Sequence, residues 1–277
     1  RYIDAYGVEK RIPNQIGTYV TGNRRQHAMD YSINEDGFNT LRSEIIPNTN
    51  EKLALIGDSF IEGFHQDYNY SLGKMIEKKK DSLEVFEFGC GGYDLADQLY
   101  LVNAYKDRFK AMDHILVYLK YENDLDRPST EPNYDRLERS KGVIAKLRQK
   151  SKFLSYVGDL GIINNFSQFL KSKKNIFKKE DNSTLAPKTQ DSLRISNFEN
   201  LLALYKVDTS KLKLLLDSRK TSVAFLAYCQ QNNIAYIDFA EAFKQAKQQT
   251  TYIYDEHWNS YGREIIAQCI AGYLHDN

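Results

Sequence analysis

Four short blocks of this chain carry residue types that cooperate in acyl transfer. They are Gly57-Asp58-Ser59-Phe60, Gly89-Cys90-Gly91-Gly92-Tyr93, Glu122-Asn123-Asp124 and Asp255-Glu256-His257-Trp258-Asn259. The reaction needs a nucleophile, a base, an acid that orients the base, and donors for the oxyanion. A serine hydroxyl attacks poorly until a base removes its proton, and His257 offers that base to Ser59. Asp255 lies two residues before His257, and residues i and i+2 of an extended segment point to the same side. Asp255 can therefore accept from one ring nitrogen and leave the other for Ser59. The amides of Ser59 and Gly92 and the side-chain amide of Asn123 are the candidate oxyanion donors. Each block has a plainer reading alone: Gly-Asp-Ser is equally a turn with Ser59 as a helix cap.

The elements around the blocks decide between these readings. Leu53–Ile56 is an apolar run ended by Gly57, which reads as a buried strand at its carboxyl end. Glu84–Phe88, His114–Leu119, Leu212–Leu216 and Ile234–Asp238 read as further strands. Amphipathic segments separate them: Asp94–Tyr105, Ile195–Tyr205, Thr221–Gln231 (Val223, Ala224, Ala227 and Tyr228 inward) and Tyr261–Leu274 (Ile265, Ile266, Cys269 and Tyr273 inward). Asn259 or Ser260 can cap the last. The alternation implies a parallel sheet with right-handed crossovers, so every strand's carboxyl end faces the same way. That edge is where open α/β sheets place their sites, and it gathers all four blocks.

The four blocks, in this order, resemble the SGNH (GDSL-like) hydrolase superfamily over roughly residues 53–125 and 212–272. The resemblance implies a flavodoxin-like three-layer α/β/α sandwich around a central parallel five-stranded sheet, and hydrolysis or transfer of ester-linked acyl groups. It assigns Ser59 as nucleophile, His257 and Asp255 as base and orienting acid, and Ser59, Gly92 and Asn123 as the oxyanion hole. Two positions depart from the common pattern. Glu87 stands where many members have Asn, and is read as a strand-end residue without a role. The Asp-x-His-Trp spacing resembles members involved in polysaccharide O-acetylation, and that likeness implies a carbohydrate-linked acyl substrate, with acetyl as the expected group, rather than a lipid.

Three readings follow: an esterase removing acetyl groups from a carbohydrate or cell-envelope glycan, an O-acetyltransferase on a polysaccharide, and a catalytically silent glycan-binding domain. The mechanism implied calls for no metal and no cofactor. His65, near the nucleophile loop, and Trp258 are the candidate substrate contacts, Trp258 being also a candidate packing anchor.

Composition narrows the partners. The chain has 277 residues and a formal net charge of +1, so no strong field points to nucleic acid. Cys90, Cys229 and Cys269 match no metal spacing and read as small buried residues. No apolar run reaches a membrane span's length. The chain starts at Arg1 rather than Met. This leads us to expect a leader, membrane anchor or fused domain upstream and an extracytoplasmic location. Residues 1–50 read as a lead-in arm with one short hairpin, carrying no visible chemistry, and 51–277 as the SGNH-like domain. Residues 126–211 read as a helical insertion beside the site, with helical patches at Ser140–Gln149 and Ile162–Phe169. The basic stretch Lys171–Lys188 reads as a solvated loop.

Overall fold

The computed structural model describes residues 1–21, 27–46, 48–131, 137, 187–253 and 255–276. The two helical patches expected between 140 and 169, the Arg24-Arg25 pair and residues 171–186 lie outside the described residues.

The arm contributes β1 (Tyr2–Ile3), β2 (Glu9–Lys10), β3 (Ile16–Thr21) and β4 (His27–Ser32). β1 pairs with β2 and β3 with β4, both antiparallel. The arm's hairpin strands lie at 16–21 and 27–32 rather than in Tyr31–Asn39, where the sequence shows alternation and a turn signal. The Tyr31–Asn39 segment instead closes on itself through a single bridge, Ile33 to Asn39.

The central sheet follows: β5 (Glu51–Gly57), β6 (Leu83–Gly89), β7 (His114–Tyr118), β8 (Leu212–Leu216) and β9 (Ala235–Asp238). Its order is β6-β5-β7-β8-β9 and every pairing is parallel. This is the doubly wound order whose switch point lies between β5 and β7. Alternation along β5 sends Ala54 and Ile56 into one core and Leu53 and Leu55 into the other. On the first face pack α3 (Leu95–Ala104), α5 (Pro187–Tyr205) and α6 (Val223–Gln231), through Leu95, Leu99, Phe198, Leu201 and Phe225. On the second pack α1 (Ser59–Glu62), α2 (Leu72–Glu77) and α8 (Ser260–Asp276), through Phe60, Leu72, Ile76, Ile266 and Ile270. The result is a three-layer α/β/α sandwich. Two short helices, α4 (Lys106–Lys110) and α7 (Ala240–Lys244), follow α3 and β9. No helix among the described residues is long and apolar enough to cross a membrane.

Two helices present other faces than expected. The inward side chains of α6 are Phe225 and Cys229, whereas Val223 is 82% exposed. Ser222 caps α6 through Phe225 N, and Ser222 Oγ bonds Tyr121 Oη at 3.0 Å, which sets the helix's rotation. The buried stripe of α8 is Ile266, Ala267, Ile270 and Leu274, with Ile265, Cys269 and Tyr273 only half-buried. Asn259 is its cap, accepting from Gly262 N at 2.9 Å. Cys90 and Cys229 are buried as expected, and Cys269 is half-buried.

Glu87 is also not a bystander. It is 2% exposed and accepts from Ser71 Oγ at 2.8 Å and Gly73 N at 2.9 Å, tying the start of α2 to β6. Burial pushes its carboxyl up to about 7.

Candidate active site

Ser59 is the first residue of α1, directly after β5. The turn is braced by Asp58, whose Oδ1 accepts from Phe60 N at 2.9 Å. Burial pushes the Asp58 carboxyl up to about 6, against that hydrogen bond and the charges of His257 and Lys120. The turn also needs close backbone approach. A Cβ on Gly89 would lie 2.1 Å from Glu62 N, so α1 can rest on the end of β6 only because residue 89 has none.

Asp255 and His257 sit on a two-stranded ribbon, β10 (Thr251–Tyr252) and β11 (Asp255–Trp258). The sequence shows this segment as an extended loop; its partner is too short to read as a strand. The ribbon fixes the i, i+2 geometry. Asp255 Oδ1 accepts from His257 N at 3.0 Å and also contacts His257 Nδ1. His257 Nε2 lies 2.7 Å from Ser59 Oγ across 198 residues of sequence. Burial alone would raise the Asp255 carboxyl. The His257 backbone and ring hydrogen bonds, and the charges of His257 and His65, hold it below its ordinary value.

The base is held by packing as well. The Phe60 ring lies 4.4 Å from the His257 ring and the His65 ring 3.9 Å, the latter stacked at 22°. Trp258 is 3% exposed, in contact with Phe60, Tyr118 and Phe239. It anchors the ribbon to the core and does not line the cavity, which corrects its candidacy as a substrate contact.

Ser59, Asp255, His257 and His65 open onto a cavity of about 420 Å³, within the range of small-ligand sites. Gly91 of the glycine block also lines it. Gly92 follows, exposed, with φ of 86°. Asn123 is exposed on the turn after β7 and is not among the residues lining this cavity. Its neighbour Asp124 is buried and accepts from Lys120 N at 2.8 Å, closing that turn.

The opposite wall comes from the arm, where the sequence shows no chemistry. Arg1, Arg11, Gln15, Tyr19, Tyr31 and Ile33 line the cavity with Phe64. Tyr19 and Tyr31 pack on Phe64 at 5.5 and 5.0 Å between rings. Arg11 forms a two-pronged pair with Glu62 at 2.7 and 2.9 Å, and its guanidinium lies 4.8 Å from the Phe64 ring centre. Asn39 Nδ2 donates to Glu62 O at 2.8 Å and Asp30 N to Asp67 Oδ1 at 2.9 Å. Contacts so distant in sequence leave no local pattern to read. A larger cavity of about 570 Å³, lined by Val102, Phe109, Leu204 and Tyr205, holds none of the four blocks.

No protein-family model and no curated protein matches the chain. Among solved structures, it is similar to a lipase/acylhydrolase from Enterococcus faecalis at 14% identity, covering 82% of this chain and 96% of that one, with a TM-score of 0.47. A psychrotrophic esterase from Pseudoalteromonas sp. matches at 10% identity, covering 82% and 98%, with a TM-score of 0.48. An acetylxylan esterase from Geobacillus stearothermophilus matches at 11% identity, covering 83% and 96%, with a TM-score of 0.41.

Proposed function

We propose that this chain is a serine-dependent esterase of the SGNH type that removes acyl groups, acetyl in the first instance, from a carbohydrate. The observation that carries the reading is the hydrogen-bonded line Ser59–His257–Asp255 opening into the cavity at the carboxyl edge of the sheet.

In this reading Ser59 Oγ attacks the acyl carbonyl while His257 Nε2 takes its proton. Asp255 stabilises the imidazolium that results. The oxyanion receives donors from the Ser59 and Gly92 amides, and Asn123, on the turn after β7, is the third candidate donor. Collapse expels the sugar oxygen, which His257 protonates, leaving an acyl-serine. Water, deprotonated by His257, then releases the acid and restores the serine. Each oxyanion donor contributes on the order of 3 kcal/mol to the transition state. The carbohydrate part of the reading is supported by the far wall, where aromatic faces (Tyr19, Tyr31, Phe64) alternate with donors (Arg11, Gln15). Aromatic faces pack the apolar side of a pyranose while fixed polar groups take its hydroxyls.

Initial rates on p-nitrophenyl acetate and on acetylated xylan and mannan oligosaccharides, for wild type and Ser59→Ala, test it. Turnover of both substrate classes that Ser59→Ala reduces to background supports the reading. Equal rates for the two proteins refute it. Acetate transferred to an added oligosaccharide faster than to water would replace the esterase reading by an O-acetyltransferase.

A further inference from the structure

The reaction above leaves one side chain against the triad without a task. His65 lies on the loop after α1, 7% exposed. Its Nε2 is 3.4 Å from Asp255 Oδ2, the carboxylate oxygen that His257 does not use. Its ring stacks on His257 at 3.9 Å and meets the Tyr19 ring edge-on at 5.9 Å. Its backbone carbonyl accepts from Tyr252 Oη at 2.7 Å, and Tyr252 is the residue paired with Asp255 across the ribbon. The loop and the ribbon are therefore joined at both the backbone and the side chain of His65.

We infer that His65 is a positioning residue for the base, holding the second oxygen of Asp255 and the plane of the His257 ring, so that the nucleophilic line has four members rather than three. The inference rests on the esterase reading for its consequence in rate, but not for its geometry. The two bonds to Oδ1 still leave the carboxylate some rotation about its Cβ–Cγ bond, and that turning moves the acceptor away from Nδ1. The His65 contact to Oδ2 removes this freedom, and the stacked ring removes tilting of His257. Misplacing a reacting group by about 1 Å costs up to about 100-fold in rate. At 3.4 Å the contact is an electrostatic one that substrate closure can shorten. His65 also tempers the base. A neutral His65 donating to Oδ2 withdraws negative charge from Asp255, and a protonated one repels the imidazolium. Either way His65 shares the Asp255 charge that faces the His257 ring. Among the described residues, the other charged groups near the pair include Asp58 and Lys120 behind the nucleophile and Arg1, Arg11 and Glu62 at the cavity. A change at residue 65 leaves them in place.

The test is a double-mutant cycle on p-nitrophenyl acetate with His65→Ala, Asp255→Ala and the pair, together with His65→Gln and the ring titration of His257 followed by NMR. His65→Ala is expected to lower kcat about 10- to 100-fold with KM within about twofold. The same change made in Asp255→Ala is expected to cost clearly less, because the route through Oδ2 is gone and only the ring stack on His257 remains. His65→Gln, which keeps a donor, is expected to recover most of the rate and guards against a folding defect in the Ala variant. The His257 ring is expected to titrate at higher pH in His65→Ala. Equal losses in both backgrounds, a rise in KM alone, or a His257 titration unmoved in His65→Ala and His65→Gln would overturn the assignment. If wild type shows no Ser59-dependent turnover, the esterase reading fails while the titration still decides whether His65 and His257 are coupled.

Discussion

Replacing Asp255 by Asn separates the charge of the orienting acid from its geometry. In the structure a single oxygen, Oδ1, serves both the His257 backbone amide at 3.0 Å and the ring Nδ1. An asparagine that keeps its carbonyl oxygen in that place still accepts both bonds, and its amino group turns toward His65 Nε2, 3.4 Å away at Oδ2. The ring then keeps the tautomer that leaves Nε2 free to take the Ser59 proton. What disappears is the attraction between a carboxylate and the imidazolium formed in the transition state. At about 4 Å and an effective dielectric near 20, that attraction is about 4 kcal/mol. At 1.36 kcal/mol per decade, kcat for p-nitrophenyl acetate should fall about 10³-fold, with KM little changed. Asp255→Ala should fall further, since the ring loses its acceptor as well as its charge. The assay is initial rates at saturating substrate between pH 5 and 9, with circular dichroism to verify folding. Asp255→Asn within about fivefold of wild type would refute the assignment of Asp255 as electrostatic partner of His257.

Other expectations follow from individual contacts. Tyr31→Ala and Phe64→Ala remove the aromatic wall, so kcat/KM on acetylated oligosaccharides should fall about 3- to 10-fold each, while turnover of p-nitrophenyl acetate stays within twofold. Gly89→Ala drives a methyl onto Glu62 N at 2.1 Å, and thermal unfolding should show destabilisation of about 3 kcal/mol or more. Glu87 gives a pH signature: its carboxyl is raised from 4.5 to about 7, so between those values the folded chain holds a proton that the unfolded chain releases. Its contribution to stability therefore falls as pH rises through this window, by up to about 3 kcal/mol at 1.36 kcal/mol per pH unit. Denaturant titrations of Glu87→Gln, which keeps a carbonyl acceptor for the Gly73 amide and turns an amino group toward Ser71 Oγ, should show that slope flattened; an unchanged slope would place the effect elsewhere.

Much of the fold was legible because buried parallel strands are written as local apolar runs. Leu53–Ile56 and Leu212–Leu216 are continuous apolar or nearly apolar stretches, and both are central strands. The contact between Asp255 and His257 was legible because two residues of spacing in extended chain fix a shared side, and β11 supplies that extension. The arm's contribution was not. Arg11 meets Glu62 and Tyr31 meets Phe64 over long sequence separations, with no period to betray them. Val223 misled because apolarity alone does not say which side of a helix faces in; the cap at Ser222 and the bulk of Phe225 decide it. Glu87 misled in another way, since a charged residue at a strand end shows no role until Ser71 and the Gly73 amide are brought to it.

The central claim is that Ser59 is a nucleophile activated by His257. Incubation with a fluorophosphonate, followed by peptide mass spectrometry, addresses it without knowledge of the natural substrate. The account predicts one adduct, on Ser59, absent from Ser59→Ala and formed far more slowly by His257→Ala. No adduct on folded wild-type protein, or an adduct on another serine that persists in Ser59→Ala, would contradict it.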